Sequence, residues 1–434
     1  MRRYILISVL FFLCKVHVVA QELMSVKEAV EVALENNYAI RLSQNELKIA
    51  KENVTYGNAG IMPTVTANLT QNNSVQNSTQ TQSNGEQRSL DNAKNNNLNY
   101  GVSLGWTLFD GMGMFARYER LQELEKQGTV NFQRMVLATV GDVITLYYTI
   151  VEQQNLLAAL DSSIIISEER LRTAENRFSI GKASKLEVLN VQVNLNADVS
   201  ARLRQQEVVR NMKINLNSLL ARDLDISFSV DKEVHIDKSL VYDELLNRAV
   251  AVNPDLQLVA INKRIAELEL KNIKGGRYPT VRLNSGYNFS RTESSLGFVS
   301  KSNGRGLNYG ITASMNIFDG FNQKRNEKVA KLQIDQAGMQ IEQQELFVKT
   351  NIKTAYETYI TNIELAKLEE KNEEIARENL NITLAKYTIG SISAVEFRDA
   401  QENFINAISR YNSALLQAKL SEVQLKELTG QIDL

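Results

Sequence analysis

The sequence predicts a mixed fold of long α-helices and a transmembrane β-barrel, built from a duplicated helix-strand-strand-helix unit with four strands and long coiled-coil hairpins per chain. Three observations predict it. Short motifs recur at a constant offset, long helical stretches contain almost no proline (three in 434 residues), and four segments alternate between apolar and polar residues.

The first 20 residues, "MRRYILISVLFFLCKVHVVA", predict a signal peptide. Two arginines precede an apolar run, and the small residue Ala20 stands before the predicted cleavage position. The run is too short for a transmembrane helix, which needs about 20 residues. Cys14 would allow a lipoprotein interpretation, but Leu13 is large where a small residue is expected.

Removal of the signal peptide changes the residue counts. Three basic residues leave, so 49 − 3 = 46 basic residues face 50 acidic ones, which disfavours nucleic-acid binding. Cys14 and His17 also leave, and His235 remains as the single histidine. We therefore expect no metal, no cofactor, no Cys/His catalytic centre and no enzyme activity. His235 is expected to be an ordinary polar residue near a short strand.

The chain carries two copies of one unit. "LFDG" at Leu108 recurs as "IFDG" at Ile317, and "FSIG" at Phe178 recurs as "YTIG" at Tyr387. The distance from the aromatic residue before Asp-Gly to the last glycine is 181 − 109 = 72 residues in copy one and 390 − 318 = 72 in copy two. Long helices packed in register do not tolerate insertions, so a rigid duplicated unit is predicted. The predicted boundaries are 21–222 for the first structural repeat, 223–239 for a linker or equatorial segment and 240–430 for the second repeat.

A very long helix is predicted in each copy, over Met112–Phe178 and Phe321–Tyr387. Ile352, Tyr356 and Tyr359 fall on one face of the second helix at steps of four and three residues. At 1.5 Å per residue each helix is about 100 Å long. The alternative is a coiled-coil rod, and the presence or absence of predicted strands distinguishes the two folds.

Four strands are predicted from alternation with a period of two. They cover about 63–74, 98–109, 279–290 and 307–318. In "LNYGVSLGWTLF", Leu98, Tyr100 and Val102 point to one face and small polar residues to the other, which favours a membrane barrel over a soluble sandwich. The Asn- and Ser-rich segment 72–97 is expected to be a flexible, solvated loop. Four strands cannot close a barrel, and an open edge in lipid is costly, so several copies must share one barrel.

These motifs together resemble the TolC family of outer membrane factors over nearly the whole mature chain. The resemblance rests on Asp-Gly after each second strand, the two Phe/Tyr-x-Ile-Gly turns, and Asn-Asn or Asn-Pro at Asn36 and Asn253. It implies a homotrimeric α/β tube in the outer membrane, with a tunnel that extends into the periplasm. It also implies an exit duct of a tripartite efflux or type I secretion system. The implied partners are a periplasmic adaptor (membrane fusion) protein and an inner-membrane RND or ABC pump.

The resemblance also assigns roles at the two turns. Glycine there permits the left-handed backbone that a sharp helix–helix turn needs. The residues expected to contact the adaptor are Phe178, Gly181, Ile389 and Gly390. The carboxylates expected to ring the periplasmic entrance are Glu187, Glu396 and Asp399. Such a ring would favour cations over anions. Without the repeat, these carboxylates would be ordinary solvated helix positions.

One departure concerns the latch of the closed state. Well-known family members have an arginine two positions after the second glycine, where this chain has Ile392. Tyr387 is retained and is expected to reach Glu187. The cation is then expected from Lys182 or Arg398, with Lys185 as a further candidate. The alternative to a channel is a soluble periplasmic helical-hairpin adaptor or structural protein without lipid-facing strands.

Overall fold

The computed structural model describes residues 22–296 and 299–430. The predicted signal peptide, residues 1–20, lies outside the described residues. The chain divides into two compact units. Unit 1 contains the chain up to Gln44, Phe132–Pro254 and the chain from Glu345 onward, and unit 2 contains Asn45–Asn131 and Asp255–Gln344. Each unit therefore combines segments of both sequence repeats.

The described residues form helices and strands in the order expected for two copies of one unit. The helices are α1 (Val26–Asn36), α2 (Tyr38–Glu52), α3 (Gly113–Ser179), α4 (Lys185–Leu219), α5 (Tyr242–Val252), α6 (Pro254–Gly275), α7 (Asn322–Thr388) and α8 (Ala394–Leu428). The strands are β1 (Glu22–Met24), β2 (Thr64–Thr81), β3 (Gln87–Asp110), β4 (Phe228–Val230), β5 (Thr280–Ser294) and β6 (Lys301–Ser314).

The long helices repeat with no length difference. Helices α3 and α7 both have 67 residues, and α4 and α8 both have 35. Their first residues differ by 322 − 113 = 209 and 394 − 185 = 209 positions. The observed helix ends lie within one residue of the predicted ones. The constant offset read from the sequence is therefore a property of the packed helices.

The core of unit 1 forms around α3. Val143, Tyr147 and Ile150 of α3 are buried with residues of α1, α4 and α8. In the described part of the chain, α3 alone has an 18-residue stretch long and apolar enough to cross a membrane, and half of that stretch is buried within the protein. Packing in this core explains why the stretch is apolar.

A short parallel strand pair, β1 with β4, closes one side of this core. Tyr147 connects both strand segments to α3, because its hydroxyl donates to Met24 O at 2.9 Å and accepts from the Asp231 backbone N–H at 3.1 Å. Strand β4 lies inside the segment 223–239 that the sequence predicts as a linker. The predicted short strand near His235 is thus present, five residues before it.

Two asparagines hold equivalent places in the two copies. Asn37 Nδ2 donates to Leu219 O at 2.8 Å, and Asn253 Nδ2 donates to Leu428 O at 3.0 Å. Both side chains are buried. Each therefore fastens the end of a short helix, α1 or α5, to the last turn of the second long helix of its own copy. Pro254 follows Asn253 as the first residue of α6, a position where the missing N–H costs nothing.

Unit 2 contains a four-stranded antiparallel sheet with the strand order β2-β3-β5-β6. Its apolar face is exposed: Tyr100 stacks on Phe289 at 4.9 Å, and Tyr309 is 80% exposed. On the polar face, Asn288 donates to Asn308 at 2.8 Å, as part of a row of small polar side chains. Among the described residues no second sheet covers the apolar face, so they do not form a soluble sandwich.

The predicted loop 72–97 is wrong over most of its length. Strand β2 continues to Thr81 and β3 begins at Gln87, so that a tight turn remains between them. The segment is too polar to predict a buried strand, but its backbone groups pair along the hairpin. The register of the β2–β3 pair shifts once, between Gln76 and Ser78. Asn92 lies opposite this shift, has φ +55° and donates its N–H to Asn77 Oδ1 at 2.8 Å.

The last predicted strand, 307–318, also differs from the structure. Strand β6 begins earlier, at Lys301, and ends at Ser314, which pairs with Thr280, the first residue of β5. Beyond Ser314 the chain has no partner strand within this sheet, because Pro279 precedes Thr280. Ile317 and Phe318 are consequently 94% and 74% exposed.

Candidate functional site at the hairpin turns

The two helix–helix turns of unit 1 have the same backbone geometry. Gly181 has φ +75° and Gly390 has φ +79°. At the first turn, Gly181 N–H donates to Phe178 O at 2.9 Å and Lys182 N–H donates to Arg177 O at 2.7 Å. The second turn repeats both bonds, from Gly390 and from the residue after it. This is the Schellman arrangement, which requires the left-handed backbone that glycine adopts without strain.

A serine begins the helix after each turn. Ser184 Oγ accepts from the Glu187 backbone N–H, and Ser393 Oγ accepts from the Glu396 backbone N–H, both at 3.2 Å. In the second copy, the Ser393 backbone N–H donates back to the Glu396 carboxylate at 2.9 Å, which completes a capping box. The glutamate six residues after each turn glycine therefore has a structural role at the start of a helix.

Two predicted entrance carboxylates line one pocket between the two turns. The pocket has a volume of about 380 Å³ and is lined by residues of both hairpins, among them Glu187, Asn190 and Asn194 from α4 and Asp399 from α8. We call it the tip pocket. Glu187, Asn190 and Asn194 thus share the face of α4 that lines the tip pocket. Glu396 is exposed and caps its helix.

Three arginines complete the wall of the tip pocket: Arg170 and Arg177 from α3 and Arg398 from α8. Arg177 Nη1 lies 3.9 Å from Glu187 Oε1. The same guanidinium lies against the second turn, since a Cβ placed on Gly390 would be 3.4 Å from Arg177 Nη2. Arg177 thus joins the second turn to the carboxylate of the first hairpin.

Tyr387 is buried beneath the second turn. Its ring packs on Phe397 with centroids 5.4 Å apart, and the guanidinium carbons of Arg170 and Arg177 lie 6.0 and 5.9 Å from the Tyr387 ring centroid. Burial raises the pKa of the Tyr387 hydroxyl, and the charge of Arg170 opposes that rise. Within the described residues the hydroxyl has no hydrogen-bond partner, so the predicted bond to Glu187 is not formed.

Arg170 is a buried cation, 2% exposed, that bridges the two hairpins. Its Nη2 donates to Ala394 O at 3.2 Å, and its guanidinium lies 5.4 Å from the Phe397 ring centroid. Its Nε and Nη1 have no hydrogen-bond partner in the part of the chain that the structure describes. Burial accordingly lowers the pKa of Arg170. A buried charge with unpaired donors is costly, so this contact is a weak point of the hairpin interface.

Arg398 lies in a polar network below the tip pocket. Its Nη1 donates to Asp198 Oδ1 at 2.7 Å, and its Nε donates to Glu402 at 2.7 Å. Ser167 Oγ donates to the other oxygen of Asp198 at 2.6 Å, and Gln401 Nε2 donates to Ser167 Oγ at 2.8 Å. The network joins α3, α4 and α8, and Asp198 and Gln401 are buried.

Comparison with known proteins decides the family. The family model described as "Outer membrane efflux protein" matches residues 29–222 and 245–431, which is most of the chain. The chain belongs to the outer membrane efflux protein family. This efflux protein is accordingly an outer membrane protein and not an enzyme.

Individual relatives are distant in sequence but similar in fold. Outer membrane protein TolC of Escherichia coli is 18% identical over 313 residues, which cover 70% of this chain and 64% of TolC. The CmeC outer membrane channel of Campylobacter jejuni is 18% identical, with a TM-score of 0.76 over 93% of this chain and 85% of CmeC. The outer membrane protein VceC of Vibrio cholerae is 15% identical, with a TM-score of 0.73 over 94% of this chain and 96% of VceC.

The guanidinium groups that lie over Tyr387 in the efflux protein belong to Arg170 and Arg177, and a latch through Lys182 or Arg398 stays a prediction. Arg398 is held by Asp198 and Glu402, and Lys182 lies exposed on the first turn. Arg170 and Arg177 were missed because they precede the first turn on α3, outside the motif. The signal Ser-x-x-Glu after each turn could have identified the helix caps.

The described residues of the efflux protein contain no cluster of three or more His, Cys, Asp or Glu side chains suited to a metal ion. His235 is exposed and lies 3.3 Å from Glu233, as an ordinary surface residue would. The remaining tip residues, Phe178 and Ile389, are 43% and 80% exposed. They leave an apolar surface at the end of each hairpin.

Proposed function

We propose that this protein is the exit duct of a tripartite efflux or type I secretion system. It passively conducts substrate, delivered by an inner-membrane RND or ABC pump, across the periplasm and the outer membrane. A homotrimer shares one barrel, and a periplasmic adaptor protein contacts the turns at Phe178, Gly181, Ile389 and Gly390. The pump supplies the energy, and the duct opens when its hairpins separate.

One observation carries this proposal. The four-stranded sheet has two unpaired edges, β2 and β6, and an exposed apolar face that includes Tyr100, Tyr287 and Tyr309. In lipid an unpaired edge costs several kcal/mol for each backbone group, so the edges must pair with other copies. The opposite face carries small polar side chains that suit a water-filled lumen. The soluble helical-hairpin alternative leaves this face and both edges without a role.

The tip pocket supports a charged entrance. Glu187 and Asp399 come from different hairpins and line the same pocket, beside Arg177. We propose that these carboxylates, together with Glu396, face the periplasmic entrance in the trimer. Because like charges gathered around a pore raise the local negative potential, the closed entrance should favour cations.

The test is ion selectivity in planar bilayers. Asp399→Asn combined with Glu187→Gln should lower the cation preference of the purified protein while leaving its assembly unchanged. For the third position Glu396→Gln is preferred over alanine, because glutamine can still accept the bond from the Ser393 backbone in the capping box. The matched control is Glu345→Gln, which removes one carboxylate of an exposed ion pair on α7, outside the tip pocket.

Two results would reject parts of this proposal. Unchanged selectivity in the Asp399/Glu187 double variant would show that these carboxylates do not face the entrance. A protein that is monomeric and stays soluble without detergent would reject the duct itself and favour the helical-hairpin alternative.

A further inference from the structure

A second pocket, of about 390 Å³, lies in unit 2 at the corner where β3 leads into α3 and α6 leads into β5. We call it the corner pocket. Phe109 and Met112 line one side, and Leu270 and Tyr278 line the other. A Cβ placed on Gly111 would lie 2.1 Å from Gly275 O, so the two chain segments touch backbone to backbone. This close contact brings the four apolar side chains around one cavity, of a size typical for small-molecule sites.

The corner pocket continues the apolar face of the sheet. Trp106 pairs with Leu283, and Phe109 pairs with Val281. Since Val281 and Leu283 are two residues apart on one strand, they point to the same face, and so do their cross-strand partners. Phe109 is therefore the last residue of the face that carries the exposed aromatic side chains. Any molecule covering that face can extend into the corner pocket.

Met112 presents an exposed apolar side chain at the corner pocket. It has φ +71°, in the left-handed region that side chains other than glycine, asparagine and aspartate rarely adopt. Its side chain is 55% exposed. Phe321, the equivalent residue of the second copy, has φ +65°, so this conformation belongs to the duplicated turn after Asp-Gly. The turn leaves the apolar Met112 side chain at the corner pocket, where an apolar molecule from outside the chain can contact it.

The polar side of the corner pocket is basic. Lys271, Lys274 and Glu267 line it. Lys271 Nζ is paired with Glu119 at 2.6 Å, and Glu267 is paired with Arg264 at 3.1 Å. The Lys274 side chain is exposed, and in the described part of the chain its ammonium group forms no hydrogen bond or salt bridge, although its charge contributes to lowering the pKa of Glu327. One ammonium group without a directly bonded partner therefore lies beside an apolar cavity.

We propose that the corner pocket binds an anionic glycerophospholipid. The acyl chain lies along Phe109, Met112 and Leu270, and the phosphate is bound by the Lys274 ammonium. Tyr278, 57% exposed, also lines the pocket, and tyrosines are enriched at membrane interfaces. An outer membrane protein has such lipids at hand, and basic pockets beside apolar surfaces bind their headgroups. The inference depends on the membrane location and not on the proposed duct.

The test is lipid retention measured by native mass spectrometry. The purified, delipidated protein is titrated with phosphatidylglycerol and, separately, with zwitterionic phosphatidylethanolamine. Wild type should retain phosphatidylglycerol in preference. Lys274→Ala should weaken phosphatidylglycerol binding about fivefold, the effect of one lysine near an anionic headgroup, with little change for phosphatidylethanolamine. Lys263→Ala is the control, because it lies on the same face of α6 about 16 Å further along the helix.

A second variant tests the apolar part without endangering the fold. Met112→Gly relieves the strained backbone and removes the side chain, so it should fold at least as stably and retain less of both lipids. Equal retention of the two lipids by wild type, or equal effects of Lys274→Ala and Lys263→Ala, would overturn the proposal. So would a disulfide between copies carrying Met112→Cys and Phe318→Cys, which would show that a second copy fills the pocket.

Discussion

The salt bridge between Asp198 and Arg398 joins two hairpins, and we predict that Asp198→Asn favours the open duct. Asp198 is on α4, Arg398 is on α8, and their side chains are 10% and 22% exposed. Asp198 accepts bonds from Arg398 at 2.7 Å and from Ser167 at 2.6 Å. If opening separates the hairpins, the bond between Asp198 and Arg398 exists in the closed state alone.

The magnitude follows from the burial of the pair. Removing one partner of a fully buried ion pair costs about 3–5 kcal/mol, because the other charge is left uncompensated. Arg398 keeps a second partner, Glu402, which is 56% exposed. We therefore expect a lower loss, about 2–3 kcal/mol, close to the value of a hydrogen bond between charged groups. Since 1.4 kcal/mol is tenfold, the closed-to-open ratio should fall roughly 30- to 140-fold.

The assay is single-channel recording in planar bilayers, with the open fraction measured at fixed voltage and salt. Asp161→Asn is the matched control: Asp161 pairs with Arg202 at 2.8 Å, but the two residues lie on α3 and α4 of one hairpin and are 47% and 36% exposed. This exposed pair should contribute less than about 1 kcal/mol and should not change the open fraction. Equal effects of the two variants, or an unchanged open fraction in Asp198→Asn, would refute the reasoning.

Two further predictions concern stability. Tyr147→Phe should lower the free energy of unfolding by about 1–3 kcal/mol, because it removes the hydroxyl that bonds Met24 O and the Asp231 N–H. Thermal unfolding in detergent would measure this loss. Glu327 accepts from Arg277 at 2.7 Å, and this bond is the main reason that the pKa of Glu327 lies below 4.5. Its contribution to stability is therefore complete above pH 4.5 and is lost as the pH falls through the lowered pKa, so Glu327→Gln should show less acid destabilisation than wild type.

Each of these two predictions has a control in the same chain. Tyr148→Phe removes a neighbouring hydroxyl for which the described residues provide no hydrogen bond, and it should be nearly neutral. A loss as large as that of Tyr147→Phe would mean that ring packing, and not the two backbone bonds, determines the effect. Glu345→Gln removes one carboxylate of an exposed pair and should leave the acid profile of wild type unchanged. If Glu327→Gln also lost stability with falling pH as wild type does, protonation of Glu327 in its pair with Arg277 would not cause the acid destabilisation.

The duplication explains why so much of the helical part could be predicted. Two copies of a packed hairpin impose the same lengths on their helices, and the identical spacing of the turn glycines recorded this constraint in the sequence. Gly181 and Gly390 could be interpreted for the same reason, since a Schellman turn needs a left-handed residue at one position. These features depend on local chemistry, which a single sequence carries in full.

The strand boundaries depend on pairing partners, which composition does not reveal. The segment 72–97 is polar enough to predict a loop, yet most of it pairs along a hairpin, because water-exposed strands need backbone partners more than apolar side chains. Conversely, Met315–Phe318 continues the apolar alternation but has no neighbouring strand within the chain. Alternation of apolar and polar residues predicts the face of the sheet on which a side chain lies. Whether a strand forms depends on a neighbouring strand with which the backbone can pair.

The surroundings of Tyr387 show the same limit at the level of single side chains. The sequence predicts the cation near the second turn from residues close to the turns: Lys182, Lys185 and Arg398. Arg170 and Arg177 reach Tyr387 from the other hairpin, across an interface that no local pattern describes. Helical spacing of seven places both arginines on one face of α3, which also carries the buried residues Ser163, Ser167 and Ala174. Arginines on a buried face of a long helix are therefore expected to interact with side chains of the opposite hairpin.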